Sequence, residues 1–146
     1  MDIYPVNPSD EPSVRALLDE SALPHSDLNP QKLAHFLTAR SASERVIVGV
    51  VGVECYGEVG LLRSLAVAQP HRRKQLGKIL VDNAERYAQQ QGVKTLYLLT
   101  TTAKDYFAKL GYATVDRAAA PPAIKETAQF RELCPDAATC MIKGLP

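Results

Sequence analysis

"SLAVAQPHRRKQLGKIL", residues 64–80, begins apolar and then gathers Arg72, Arg73, Lys74 and Lys78 within seven residues, with Gly77 among them. The nearest acids are Glu58 and Asp82, so residues 59–81 hold five cations, Arg63 included, and no anion. The apolar part reads as a strand. From Leu76 the positions Ile79, Leu80, Ala84, Tyr87 and Ala88 follow helical spacing. The cations therefore fall where a strand ends and a helix begins. Unpaired N–H groups and the positive end of the helix dipole make such a turn an anion site, and Gly77 lets a ligand approach the backbone. A phosphate or pyrophosphate fits. A solvated basic helix start is the other reading. There is no G-x-x-x-x-G-K-[ST] run, and a single glycine is too few for a dinucleotide fingerprint.

The rest of the chain bounds the answer. Its 146 residues suit one domain, 1–146, able to bury a core. The apolar run from Val46 to Val53 is far shorter than the roughly 20 residues a bilayer requires, and "MDIYPVNPSDEP" lacks the regions of a signal peptide. A cytoplasmic protein without membrane partners is expected. A net charge of +1 argues against nucleic acid as partner, so the local positive charge points to a small anion. Three cysteines at no metal-like spacing suggest neither a disulfide framework nor a metal site.

Periodicity predicts the element order β-α-α-β-β-β-α-β-α-β-(α)-β. "DIYPV" is a short strand. "SDEPSVRALLDESAL" is a helix capped by Ser9, with Val14, Leu17, Leu18 and Ala22 on one face. Asn29 and Pro30 open a second helix. "HFLTAR", "RVIVGVVGVEC" and "VGLLRSLAV" form an antiparallel meander, and residues 58–99 a right-handed parallel crossover. Gly92 ends the long helix. After the strand "VKTLYLLT", Thr102 and Asp105 are spaced as a capping box for a helix that Gly111 stops. "PPAIKETAQF" is helical and "ATCMIK" a last strand. The expected class is α/β: a mixed, mostly antiparallel sheet of six or seven strands with helices on both faces.

"LAVAQPHRRKQLGKIL" resembles motif A of the GNAT acetyltransferases, R/Q-x-x-G-x-G/A, whose loop holds the pyrophosphate of acetyl-coenzyme A. Arg72 matches the R/Q position and Gly77 the last glycine, while Gln75 stands where the middle glycine would be. The family's element order matches nearly the whole chain. "LYLLTTTAKDYFAKLGY" with "VDRAAAPPAIKETAQFRELCPDAATCM" is similar to the N-acetyltransferases of bacterial arsenic-resistance operons. "RRKQLG", "LTTTA" and "YFAKLGY" also resemble the acetyltransferase domain of N-acetylglutamate synthase.

The resemblance implies acetyl-CoA as co-substrate, no metal, and a small-molecule amine as acceptor; a homodimer is compatible with it. It assigns CoA binding to Arg72, Arg73, Lys74, Gln75, Leu76, Gly77 and Lys78, and thioester and pantetheine contacts to the backbone of Leu65, Ala66 and Val67. The family's proton-donating tyrosine falls at Phe107, which would border the CoA sulfur. Tyr106, one residue earlier, either gives the proton or packs in the core. For a base, Glu54 and Glu58 flank a turn between strands, where each either takes a proton through water or is simply solvated. An amino-acid-like acceptor, one containing arsenic or phosphorus included, needs a cation for its carboxylate. The candidates are Arg63, which interrupts an apolar strand, and Arg117 and Arg131 in the tail. Arg63 paired with a carboxylate such as Glu54 is the alternative. Two other functions stay open: a non-catalytic acyl-CoA-binding or sensing module, and an arsenical-binding protein using Cys55, Cys134 and Cys140.

Overall fold

The computed structural model describes residues 2–41, 46–72, 75–134 and 137–146. They form a seven-stranded sheet in the order β1-β2-β3-β4-β5-β7-β6: β1 Asp2–Pro5, β2 Phe36–Arg40, β3 Ile47–Tyr56, β4 Val59–Val67, β5 Thr95–Thr100, β6 Ala113–Thr114 and β7 Thr139–Gly144. Every neighbouring pair is antiparallel except β4 and β5, which are parallel and joined by the long helix α3, Leu76–Gln90. The meander and the mixed sheet are as the sequence predicts.

Alternation along the strands divides the core. Val51, Val53, Leu62, Leu96, Leu98 and Met141 face α3, which buries Leu76, Leu80, Val81, Ala84 and Ala88 against them. On the opposite face α1, Glu11–Glu20, packs Val14, Leu17 and Leu18 on Phe36, Val50 and Ala66. Further along that face, α5, Pro122–Lys125, sets Ile124 against Leu61, Tyr97 and Cys140.

Several local details differ from the sequence reading. Ser9 does not cap α1. It lies in a 3-10 turn, Pro8–Asp10, where the Asp10 carboxylate accepts the Asn7 N–H at 2.8 Å. Ala22 has left α1 and sits at φ 56. Asn29 does cap α2, Pro30–Leu33, accepting from the Lys32 N–H at 2.8 Å. The expected Thr102–Asp105 box is not made. Ala103 occupies the N-cap of α4, Lys104–Lys109, and its N–H donates to Thr100 Oγ1 at 3.0 Å. Gly92 and Gly111 do end their helices, at φ 91 and 98, values that tax any residue with a Cβ. The tail helix is two pieces, α5 and a π turn at Gln129–Leu133.

Candidate active site

Strand β4 carries one extra residue relative to β3. Val50 opposes Ala66 and Gly52 opposes Arg63, so two steps on β3 span three on β4. Ser64 absorbs the difference at φ 59, a β-bulge held by a non-glycine residue. The bulge re-aims β4. Its pairing with β5 covers only Val59–Leu61 against Thr95–Tyr97, although β4 runs on to Val67 and β5 to Thr100. From Leu62 onward the β4 edge has no β5 partner, and a cavity of about 940 Å³ opens between the two strands. Its lining comes from both sheet faces: Arg72, Gln75, Gly77, Lys78, Tyr106 and Phe107 at one end, and Ser21–Pro24, Gln129 and Cys134 at the other.

Backbone strain gathers on this cavity. The three non-glycine residues with positive φ among the described residues are Ala22, Ser64 and Gln75, and all three line it. Such conformations persist where the surroundings enforce them, which is commonest at functional sites. Gln75, at φ 57 and ψ 18, adopts at the N-cap of α3 the left-handed form that glycine favours. Gln75 thus holds, with a Cβ, a turn that glycine would hold without strain.

The first-turn N–H groups of this 15-residue helix have no intrahelical partners, an arrangement that suits an anion. Lys78 is exposed and ion-paired with Asp82 at 3.0 Å; Arg72 donates from Nε to the Val67 carbonyl at 2.8 Å. Arg73 and Lys74 lie outside the described residues. The Leu76 side chain is buried in the core, leaving only its backbone for a ligand. Leu65, Ala66 and Val67 line the cavity from the unpaired edge.

Phe107 is buried at the cavity wall, edge-on to Tyr106 at 5.5 Å and to Tyr112 at 5.8 Å. Tyr106 is 40% exposed and reaches across to α3, where its hydroxyl covers Gly77: a Cβ there would come within 2.2 Å of it. Burial pushes the phenol's pKa up and Asp82 adds to this against the pull of Lys78, so the group keeps its proton at neutral pH.

Of the predicted base and acceptor residues, Arg63 lines this cavity and Glu54, Arg117 and Arg131 do not. Glu54 lines a separate pocket of about 170 Å³ with Lys32, His35 and Cys55. It is buried and accepts Arg63 Nη1 at 2.7 Å and the Tyr56 hydroxyl. Arg63, whose side chain has no exposed surface, also donates to both Asp27 oxygens, with Nη2 to Oδ1 at 2.8 Å, and from Nε to Ser64 Oγ at 3.0 Å. Its fork is occupied by protein carboxylates, so the pairing alternative holds. Burial alone would raise the Asp27 pKa; the hydrogen bonds from Arg63 and Lys32 outweigh it and bring it to about 2. Arg117 lies over the Phe130 ring and donates to the Phe130 carbonyl at 2.6 Å, while Arg131 is exposed; neither lines the cavity. The thiols occupy three different settings: Cys55 at the end of β3, Cys134 on the cavity wall, Cys140 in the core. No group of three metal-binding side chains occurs among the described residues.

Ser64, Gln129 and the wall at Ser21–Pro24 were not singled out from sequence. On β4 no glycine or proline marks the bulge, and the walls are brought to the cavity by tertiary contacts.

The chain belongs to the Acetyltransferase (GNAT) family, whose sequence profile matches residues 2–112. A Bacillus subtilis (strain 168) protein named as an acetyltransferase is 35% identical over 72 residues, 49% of each chain. The match thus spans about half the length of this curated relative. N-acetylglutamate synthase from Neisseria gonorrhoeae, solved with coenzyme A and N-acetyl-glutamate, superposes with a TM-score of 0.85 at 17% identity, over 99% of this chain and 35% of that one. A Mycobacterium tuberculosis protein solved with CoA gives 0.84 at 17% identity over the full length of both chains. At these identities the superpositions establish the shared fold.

Proposed function

We propose that the chain is an acetyl-CoA-dependent N-acetyltransferase acting on the primary amine of a small, amino-acid-like molecule, arsenic- and phosphorus-containing amino acids among the acceptors to be tried. The observation that carries this is the parting of parallel β4 and β5 beyond Leu61 and Tyr97, which makes one cavity with a helix N-terminus at one end and a partly polar wall at the other. A phosphate-bearing thioester and an amine can enter from opposite faces of the sheet and meet between the strands.

Acetyl-CoA supplies an activated acetyl group: the acceptor nitrogen bonds to the carbonyl carbon, the C–S bond breaks, sulfur leaves as thiolate and takes a proton, and the ammonium proton passes to water. The α3 amides and Lys78 would hold the pyrophosphate. Unpaired N–H groups on the β4 edge around Leu65–Val67 would bond the carbonyl oxygen as it becomes anionic. The Tyr106 phenol, protonated and on the cavity wall, would give its proton to the thiolate. Glu54 is committed to Arg63 and Tyr56, which favours loss of the amine proton to solvent over direct abstraction by that carboxylate.

Calorimetry with CoA, then thiol release from acetyl-CoA with amino acids, amino-acid amides, polyamines and aryl amines, tests the reading. CoA binding with amine-dependent thiol release supports it. CoA binding without thiol release for any amine would leave a binding module instead.

A further inference from the structure

The acceptor end of the cavity holds an ordered donor that the fold itself does not use. Gln129 opens the π turn, is 6% exposed and lines the cavity. Its Oε1 accepts the Cys134 thiol hydrogen, with Sγ at 3.1 Å, and its main-chain carbonyl accepts the Cys134 N–H at 3.0 Å. Cys134 therefore grips Gln129 by both side chain and backbone. Because the amide is planar, holding Oε1 also sets the direction of the NH2 group. Nε2 has no partner among the described residues. It is not sealed in either: the buried side-chain atoms left without a partner among the described residues are Ser21 Oγ and His71 Nδ1. Thr127 fixes the turn from behind, its carbonyl accepting the Arg131 N–H at 3.0 Å. Leu23, Pro24 and Leu133 supply apolar wall to the same cavity. A donor held in such a place discriminates strongly, because a ligand without a matching oxygen leaves it dry and unpaired.

We propose that Gln129 reads the acceptor: its Nε2 hydrogens bond a carbonyl or carboxylate oxygen borne on the carbon beside the reacting amine, and Cys134 is the residue that positions it. The inference rests on the acceptor reading above and deepens it. It replaces Arg63, whose guanidinium is already filled, as the reason to expect an amino-acid-like molecule.

L-alaninamide and isopropylamine share a skeleton and differ by the carboxamide. Each is titrated into the 15N-labelled protein–CoA complex while the assigned side-chain amide pair of Gln129 is followed. Alaninamide moves these resonances and isopropylamine does not. In acetyl transfer, Gln129→Leu lowers the preference for alaninamide over isopropylamine by about tenfold or more. CoA affinity stays within about twofold. Gln129→Glu, close in shape but with the donor pair removed, does the same and serves if the leucine variant fails to fold. Cys134→Ala loses part of the preference, and Cys134→Ser, which keeps a hydrogen to donate, recovers it. Resonances that ignore both amines or follow both equally overturn the proposal, as does an equal loss for both amines in a folded variant. If the amide pair responds to alaninamide but acetyl-CoA releases no thiol, acetyl transfer is the reading that fails and the Gln129 contact stands.

Discussion

The Tyr106 hydroxyl lies on the bare backbone of Gly77, so close that a Cβ at 77 would be 2.2 Å from it. The glycine of the cation-rich loop thus makes room for the phenol from α4. The two assignments are coupled, and the coupling is measurable. Gly77→Ala should destabilise the protein by about 1–3 kcal/mol through overpacking. In a Tyr106→Phe background the nearest ring carbon is 3.2 Å from that Cβ, so most of the cost should vanish. Urea melts of the four proteins form the cycle; additive effects would contradict the contact.

Tyr106→Phe should cut acetyl transfer on the order of a hundredfold with little change in CoA affinity, if the phenol protonates the thiolate. Burial holds its pKa above the usual tyrosine value, and the protonated form is the donor. The group is therefore competent throughout the neutral range, and the pH–rate profile should show no falling limb from it below pH 10. Such a limb in the wild type, absent from the phenylalanine variant, would refute the placement of the proton.

Arg63 and Asp27 tie the α1–α2 connection to the bulge that opens the cavity. Asp27→Asn should destabilise by about 3 kcal/mol, since a buried guanidinium loses a charged partner. The pH dependence has a definite sign. The Asp27 pKa falls on folding from 3.8 to about 2, so its contribution is fully present above pH 3.8 and is lost as pH falls through about 2. Acid titrations of stability should show wild type and variant converging across that interval. Parallel curves there would remove Asp27 from the network.

Gln75→Gly should stabilise the protein by up to about 1 kcal/mol, because a left-handed residue with a Cβ is strained and glycine is not. CoA affinity should be kept or improved. A loss of stability would mean that the Gln75 side chain makes contacts that outweigh its backbone strain.

Much of the fold is legible in residue order. Helical spacing from Leu76 to Ala88, with Gly92 beyond it, marks α3, and the apolar strands around it follow from their length and turns. The α3 end of the cavity is legible for the same reason, since charge and helix start are local signals. The bulge is not. Serine at 64 carries no mark of a positive φ, and Arg63 beside it finds its partner in Asp27, 36 residues upstream. A buried arginine in an apolar strand announces that it needs anions, but not whether they belong to the protein or to a ligand. The Thr102–Asp105 pattern misleads because α4 begins one residue later, with Ala103 at its N-cap and the Ala103 N–H bonded back to Thr100 Oγ1. Gln129 and Cys134 become meaningful only when the π turn folds them onto the cavity.

A crystal structure of the acetyl-CoA complex tests the central claim most directly. The account predicts the pyrophosphate on the N-terminal amides of α3 and the thioester between β4 and β5, its carbonyl oxygen within hydrogen-bond reach of the backbone at Leu65–Val67 and its sulfur beside Tyr106. Acetyl-CoA seated elsewhere, such as against the pocket of Glu54 and His35, or a thioester lying outside the parted strands, would contradict it.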